Sequence, residues 1–167
     1  MKSNTLTRIR NFAILALAQA LIFSQIHLFG YTTACVYLIF LLKLPWQTTR
    51  NEQLIWGFLF GLTIDIFCNT PGLNAAAATT MSFVRTPILS RFVPKSVTDD
   101  FIPGKKVLKW GGYLLYAAIC IAIFYSVLLL IELFTIRQPL VLLTGIVSST
   151  LLTMLFVIIA ECFSRTK

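Results

Sequence analysis

The chain alternates between long apolar runs and short polar connections. Because a bilayer core of about 30 Å is crossed by about 20 helical residues, an apolar run of that length predicts a membrane-spanning helix. Six apolar segments can be marked, at residues 12–28, 31–44, 54–67, 73–89, 113–133 and 140–163. The first, fifth and sixth are long enough to span. The second is the weakest, because Gly30 and Pro45 bracket it closely. The pattern predicts an all-α integral membrane protein with one polytopic domain over residues 1–167.

Basic residues concentrate in alternate connections between these segments. They lie before the first segment, after the second and fourth, and at the chain end: Lys2, Arg8, Arg10, Lys43, Arg50, Arg91, Lys95, Lys105, Lys106, Lys109, Arg165 and Lys167. The other connections contribute only Arg137. Because cytoplasmic loops are enriched in Lys and Arg, the alternation predicts six transmembrane helices with both termini in the cytoplasm. We therefore expect a multi-pass protein of a bacterial inner membrane.

Composition agrees with a bilayer environment. Hydrophobic residues make up 57% of the chain and charged residues 12%, and the mean hydropathy is +0.84. The net charge of +8 does not indicate nucleic-acid binding, because the basic residues flank apolar runs and form no basic helix face. In such positions they set topology and contact anionic lipid headgroups. We expect anionic lipids as partners and no nucleic acid.

Patterns typical of catalytic or metal sites do not occur in the sequence. There is no G-x-S-x-G, no H-E-x-x-H and no phosphate-binding glycine loop, and the one histidine, His27, ends the first apolar segment. Cys35, Cys68, Cys120 and Cys162 are widely spaced and lie in or beside apolar runs. They are most simply small apolar side chains. We predict no enzymatic activity, no cofactor, no metal and no disulfide.

The most informative stretch runs from residue 57 to residue 85. Gly57, Gly61 and Asp65 recur every four residues and therefore share one helix face. The two glycines make a groove that a neighbouring helix can enter, with the Asp65 carboxylate at its outer end. Packing within the chain and contact with a partner helix both remain open. A buried ionisable group in a membrane costs a few kcal/mol unless it faces polar groups, so Asp65 is expected to be structural or to contact a partner.

A tight outer turn follows this face and predicts an antiparallel helical hairpin. Pro71 fixes one dihedral and Gly72 supplies a left-handed conformation. The next helix opens with Asn74 and a run of alanines, which permit close helix approach. Arg85 lies too far along it to pair with Asp65, and we expect its side chain to extend toward the cytoplasmic side near Arg91. The partner-binding or structural candidates are Gly57, Gly61, Asp65, Asn69, Pro71, Gly72, Asn74 and Arg85.

The same stretch resembles a known family. Gly61-Leu62-Thr63-Ile64-Asp65, Ile66-Phe67, Pro71-Gly72 and Asn74-Ala75-Ala76-Ala77 are similar to the core of the rod shape-determining protein MreD family, in particular its Bacteroidetes-like branch. Length, number of segments and charge topology agree over essentially the whole chain. Two positions depart from the commoner pattern: Asn74 stands where a histidine is expected, and Arg85 is unusual in the following helix.

The resemblance implies a non-enzymatic membrane scaffold or regulator of the machinery that elongates peptidoglycan and controls cell shape. Such proteins associate with an MreC-like bitopic membrane protein, and through it with MreB, RodA and a class B penicillin-binding protein. The family is also similar to the six-helix S components of energy-coupling-factor transporters. A small-molecule-binding S component of a vitamin transporter is therefore the alternative function. The short, nearly uncharged outer connections favour the scaffold, because vitamin-binding S components use outer loops to cover their ligand.

Overall fold

The computed structural model describes residues 35–93, 101–133 and 139–163, together with Arg10, Ile14 and Gln19. The first predicted segment, residues 12–28, therefore lies outside the described residues except at two positions. The described residues are helical and contain no strand. Their five helices are α1 (Leu38–Leu42), α2 (Arg50–Cys68), α3 (Leu73–Phe92), α4 (Lys105–Leu133) and α5 (Pro139–Phe163).

The second and third helices form the predicted antiparallel hairpin. Asn69 ends α2 with φ 55° and Gly72 precedes α3 with φ 84°, so both turn residues adopt the left-handed conformation. Asparagine and glycine are the residues that tolerate this region best. At the other end of the hairpin, Thr86 Oγ1 donates a hydrogen bond to Gln53 Oε1 at 2.9 Å. This contact fixes the register of the two helices.

The fourth and fifth helices contain the longest apolar segments. Val107–Glu132, with 26 residues, and Leu143–Cys162, with 20 residues, are long and apolar enough to cross a membrane by length and composition. The fourth helix begins at Lys105, earlier than the predicted residue 113, because helix also forms in the basic segment before it. Lys109 interrupts it with φ 58° and ψ 164°. The basic end is thus a separate helical turn that precedes the apolar helix.

The first described helix is short and buried on every side. All five residues of α1 are buried, and it packs against α2, α3 and α4. The Tyr37 ring, which precedes it, stacks on Phe60 at 5.3 Å and meets Phe124 edge-on at 6.0 Å. Only residues 35–44 of the predicted second segment are described, and the helix within them ends before Pro45. α1 is therefore the centre of the core.

The fifth helix places polar residues inside and apolar residues outside. Its buried face repeats every four residues and consists of Ser149, Thr153, Val157 and Glu161. Its exposed face repeats with the same spacing and consists of Leu143, Val147, Leu151, Leu155 and Ile159. The outer face of α2 is similarly apolar, with Ile66 72% exposed. A helix on the surface of a water-soluble domain shows the opposite arrangement.

Candidate functional site

The Asp65 carboxylate is buried and accepts four hydrogen bonds. Its Oδ1 accepts from the Asn74 backbone amide at 2.9 Å, from Asn74 Nδ2 at 3.0 Å and from Thr70 Oγ1 at 2.9 Å. Its Oδ2 accepts from the Ala75 backbone amide at 2.9 Å. Only 4% of Asp65 is exposed. The carboxylate is therefore desolvated, and hydrogen bonds from the same chain replace the lost water.

This geometry makes Asp65 the cap of a helix to which it does not belong. The residue at the N-cap position of α3 is Gly72, which has no side chain to accept from the first free amides. Asp65, at the end of α2, accepts from the amides of Asn74 and Ala75 in its place. A negative charge is also favourable at the amino end of a helix dipole. The anion thus holds the two helices together at the turn.

The glycine face below Asp65 is filled by α3. A Cβ atom added to Gly61 would lie 2.4 Å from Ala75 Cα and from the Asn74 carbonyl oxygen. A Cβ added to Gly57 would lie 2.9 Å from the Ala78 carbonyl oxygen and closer still to the Ser82 hydroxyl. Contacts this short with backbone atoms require the helices to separate. Of the two interpretations left open by the sequence, this geometry supports packing within the chain.

The Arg85 side chain is buried inside the bundle, whereas we expected it to extend toward the cytoplasmic side near Arg91. Only 1% of Arg85 is exposed. Its Nη2 donates hydrogen bonds to the backbone carbonyls of Leu42, at 3.4 Å, and Leu44. The last carbonyl groups of α1 have no partner within that helix, so they can accept hydrogen bonds from the guanidinium. They provide a polar environment for the positive charge inside the bundle.

Side chains from other parts of the chain bond to the backbone at the carboxyl end of α1 and just before its amino end. At the carboxyl end, Tyr116 on α4 joins Arg85 and donates to the Leu42 carbonyl at 3.3 Å. At the amino end, the Cys35 amide donates to Tyr125 Oη at 3.1 Å and to Thr153 Oγ1 at 3.4 Å. The next amide, of Val36, donates to Gln19 Oε1 at 2.8 Å. The amides of Leu38, Ile39 and Phe40 donate to the backbone carbonyls of residues 35–37, so the side-chain contacts add to the turn's own hydrogen bonds.

A buried ion pair joins the chain after α1 to the end of α5. Lys43 Nζ lies 2.7 Å from Glu161 Oε2, with side-chain exposures of 24% and 3%. Lys43 was expected in a polar connection, and Glu161 was not among the candidate residues. The signal was present, because Glu161 is a carboxylate inside the long apolar run 140–163 and is as costly to bury as Asp65.

The structure brings most of the candidate residues together around the hairpin turn. Asp65, Asn74 and the backbone of Asn69 are joined directly, since the Asn69 amide donates to the Asp65 carbonyl oxygen. Gly72 lies between them, and Pro71 is exposed at the tip. Gly57 and Gly61 continue the same contact along the hairpin. Arg85 lies apart, at the other end of α3.

Within the described residues, no group of three or more His, Cys, Asp or Glu side chains could hold a metal ion. None of the four cysteines, all of which are described, forms a disulfide; Cys35 and Cys120 are buried, Cys68 is half-buried and Cys162 is exposed. No protein-family model, no curated protein and no solved structure matches this chain.

Proposed function

We propose that this protein is a multi-pass protein of the bacterial inner membrane, with six transmembrane helices and both termini in the cytoplasm. The arrangement of α5 supports this most directly. Leu143, Val147, Leu151, Leu155 and Ile159 form an exposed apolar stripe, with Thr144 and Cys162 exposed only near the two ends of the helix. The buried face carries Ser149, Thr153 and Glu161 beside Val157. Lipid solvates the first face without cost, whereas exposure to water costs about 25 cal/mol per Å² of apolar surface.

The buried charges support the same proposal. Each described charge in the interior has polar partners: Asp65 accepts from the amides of α3, Arg85 donates to carbonyls of α1, and Glu161 pairs with Lys43. This is the condition under which ionisable groups are tolerated at membrane depth. We propose that this bundle is similar to the six-helix fold of S components of energy-coupling-factor transporters.

We further propose that the protein is a non-enzymatic scaffold or regulator of peptidoglycan elongation, similar to the MreD family. The resemblance rests on residues 61–77, and these residues form one interlocked unit in the fold. Gly61 packs on Ala75, and Asp65 accepts hydrogen bonds from Asn74 and Ala75. A sequence signature whose members meet at one place is typical of a structural element that a family shares. The proposed partners are an MreC-like bitopic protein and, through it, MreB, RodA and a class B penicillin-binding protein.

Co-purification tests the scaffold function. The tagged full-length chain, extracted in a mild detergent, is expected to retain a single-span partner that mass spectrometry identifies. An unrelated six-helix protein with the same tag is the control. Thermal-shift measurements with a panel of vitamins run in parallel. The alternative function, a vitamin-binding S component, would be supported instead if a vitamin raised the melting temperature and no single-span partner co-purified.

A further inference from the structure

Residues 101–108, which we call the strap, lie at the end of the bundle where α4 begins. The first residue of the strap, Phe101, accepts a hydrogen bond at its carbonyl oxygen from the Trp46 amide at 2.9 Å. The rings of the same two residues stack with their centroids 5.9 Å apart. The last residue, Leu108, is 5% exposed and belongs to the core. The strap is therefore attached to the chain after α1 at one end and packed into the bundle at the other.

The middle of the strap lies against the buried ion pair. A Cβ atom added to Gly104 would lie 3.1 Å from Glu161 Oε1, so the glycine backbone lies next to the carboxylate. The other carboxylate oxygen, Oε2, lies 2.7 Å from Lys43 Nζ. Because a side chain at Gly104 would occupy the space beside Oε1, glycine allows the strap to approach this closely. The strap thus covers one side of the pair.

Lys109 directly follows the strap and has a backbone conformation that is unfavourable for a residue with a side chain. Its φ of 58° and ψ of 164° lie at the edge of a region that almost exclusively glycine adopts. A strained conformation of this kind persists only where surrounding contacts impose it. The contacts of the strap with Trp46 and Glu161 lie just before Lys109 and hold the chain in this bend.

A helical conformation at Lys109 would relieve this strain. It would join the helical turn of the strap to the rest of α4 as one straight helix, for which lysine has a favourable propensity. Straightening also redirects the chain before Lys109, so Phe101 would move away from Trp46. The bent arrangement thus has the strap contacts, whereas the straight arrangement has the relaxed backbone. Two arrangements that each gain what the other lacks form the basis of a conformational switch.

We propose that the strap opens and closes about Lys109, and that it covers the Lys43–Glu161 pair when closed. Strain at Lys109 offsets part of the energy of the strap contacts, so the strap opens more readily than the helices separate. Opening makes Lys43 and Glu161 accessible at this end of the bundle. The inference goes beyond the proposed function, and because it rests on contacts within the chain it is independent of the role in wall synthesis.

Amide hydrogen exchange of the full-length protein tests the strap, with isotope-labelled tryptophan followed by NMR in detergent. The Trp46 amide is bonded to Phe101, so it exchanges when the strap opens, whereas the Trp56 amide lies within α2 and reports opening of the bundle. In the unaltered protein, Trp46 should exchange faster than Trp56. Lys109→Gly adopts the bend without the clash of a Cβ atom. It should slow exchange at Trp46 about tenfold and leave exchange at Trp56 unchanged.

Lys109→Ala is the matched control, because it removes the same charge and keeps the Cβ atom. It should not slow exchange at Trp46. Three outcomes would overturn the strap: equal exchange at Trp46 and Trp56 in the unaltered protein, equal exchange at Trp46 in the glycine and alanine variants, or equal slowing at both tryptophans in Lys109→Gly. The last would show that the substitution stabilises the whole bundle.

Chemical labelling tests whether the strap covers the ion pair. Acetic anhydride acetylates accessible lysines, and peptide mass spectrometry gives the rate at Lys43. Because Lys109→Gly favours the closed strap, acetylation of Lys43 should be slower in this variant than in Lys109→Ala. Equal rates in the two variants would show that the strap does not cover the pair, and the inference would fail.

Discussion

The Asp65 carboxylate accepts a hydrogen bond at 2.9 Å from the backbone amide of Ala75, so the end of α2 caps the beginning of α3. The amino end of α3 has no other side-chain cap, because its N-cap residue is Gly72. The anion is thereby stabilised by the amides that it satisfies, and neither group requires water.

Replacing Asp65 should therefore destabilise the protein itself. Asp65→Asn keeps the shape but turns an amide N–H toward a donor, and we expect it to lower the unfolding free energy by about 1–3 kcal/mol. Asp65→Leu removes every acceptor and should cost more. Melting temperatures in detergent measure both. Asn69→Gly, which preserves the left-handed turn, should stay within about 0.5 kcal/mol. A stable Asp65→Leu variant would show that the cap is dispensable.

Substitutions of glycine test whether the contact between α2 and α3 at Gly61 is tightly packed. Gly61→Ala should lower the unfolding free energy by about 1–3 kcal/mol, because its Cβ would lie 2.4 Å from Ala75 Cα. Gly61→Leu should reduce the amount of protein in the membrane. Gly111→Ala is the control, since a Cβ there meets nothing within 4 Å, and helix propensity predicts a gain of up to about 1 kcal/mol. If Gly61→Leu accumulates normally but loses a partner protein, the groove is a binding site after all.

Arg85 should be required for the position of α1. Arg85→Met leaves the Leu42 and Leu44 carbonyls without this donor, and we expect a loss of about 2 kcal/mol or more. Arg85→Lys keeps the positive charge on a shorter side chain, so it should lower the unfolding free energy less than Arg85→Met does. Thermal unfolding and hydrogen exchange of residues 38–44 measure the effect. Lys109→Met removes an exposed cation and should change stability by less than about 0.5 kcal/mol.

The Lys43–Glu161 pair is suited to a double-mutant cycle. Lys43→Met leaves Glu161 buried without this partner and should destabilise the protein, by less than a fully buried pair would because Lys43 is 24% exposed. Lys43→Met combined with Glu161→Gln should cost less than the sum of the single changes. We expect a coupling energy of about 1 kcal/mol from the melting curves. Additive effects would show that the pair contributes no net stability.

Reporter fusions test the proposed topology. Fusions after Thr49, Asp100 and Lys167 should report the cytoplasm, and fusions after Thr70 and Gln138 should report the periplasm, because the basic connections stay inside. A periplasmic signal after Thr49 would remove the second span and with it the six-helix arrangement.

Elements that rest on local signals could be predicted from the sequence. The apolar run 140–163 matches α5 at Pro139–Phe163, and the Pro71-Gly72 turn correctly predicts the hairpin. Both depend on hydrophobic spacing and turn chemistry, which neighbouring residues determine. The shared face of Gly57, Gly61 and Asp65 was also predicted, but the sequence alone did not predict that α3 fills it.

Contacts between distant residues could not be predicted. Arg85 is bonded to backbone carbonyls, which every residue carries and no sequence pattern distinguishes. Asp65 is bonded to amides of another helix for the same reason. Of the predicted second segment, residues 31–44, the structure describes residues 35–44, and α1 occupies Leu38–Leu42. The side chains that bond to it could not be predicted, because they lie far along the chain. Glu161 is an exception, because a charged residue within the apolar run 140–163 can be recognised from the sequence.

The dependence of α1 on distant side chains has a consequence for how the protein is made. The ribosome completes residues 35–44 well before their partners Arg85, Tyr116 and Thr153, and the Cys35–Thr153 contact spans 118 positions of the chain. The Val36 amide has its partner Gln19 earlier in the chain. The Leu42 carbonyl and the Cys35 amide lack Arg85, Tyr116 and Tyr125 until α3 and α4 have been synthesised. The contacts of the central helix are therefore completed only as α3, α4 and α5 are added, long after the ribosome has made the helix itself.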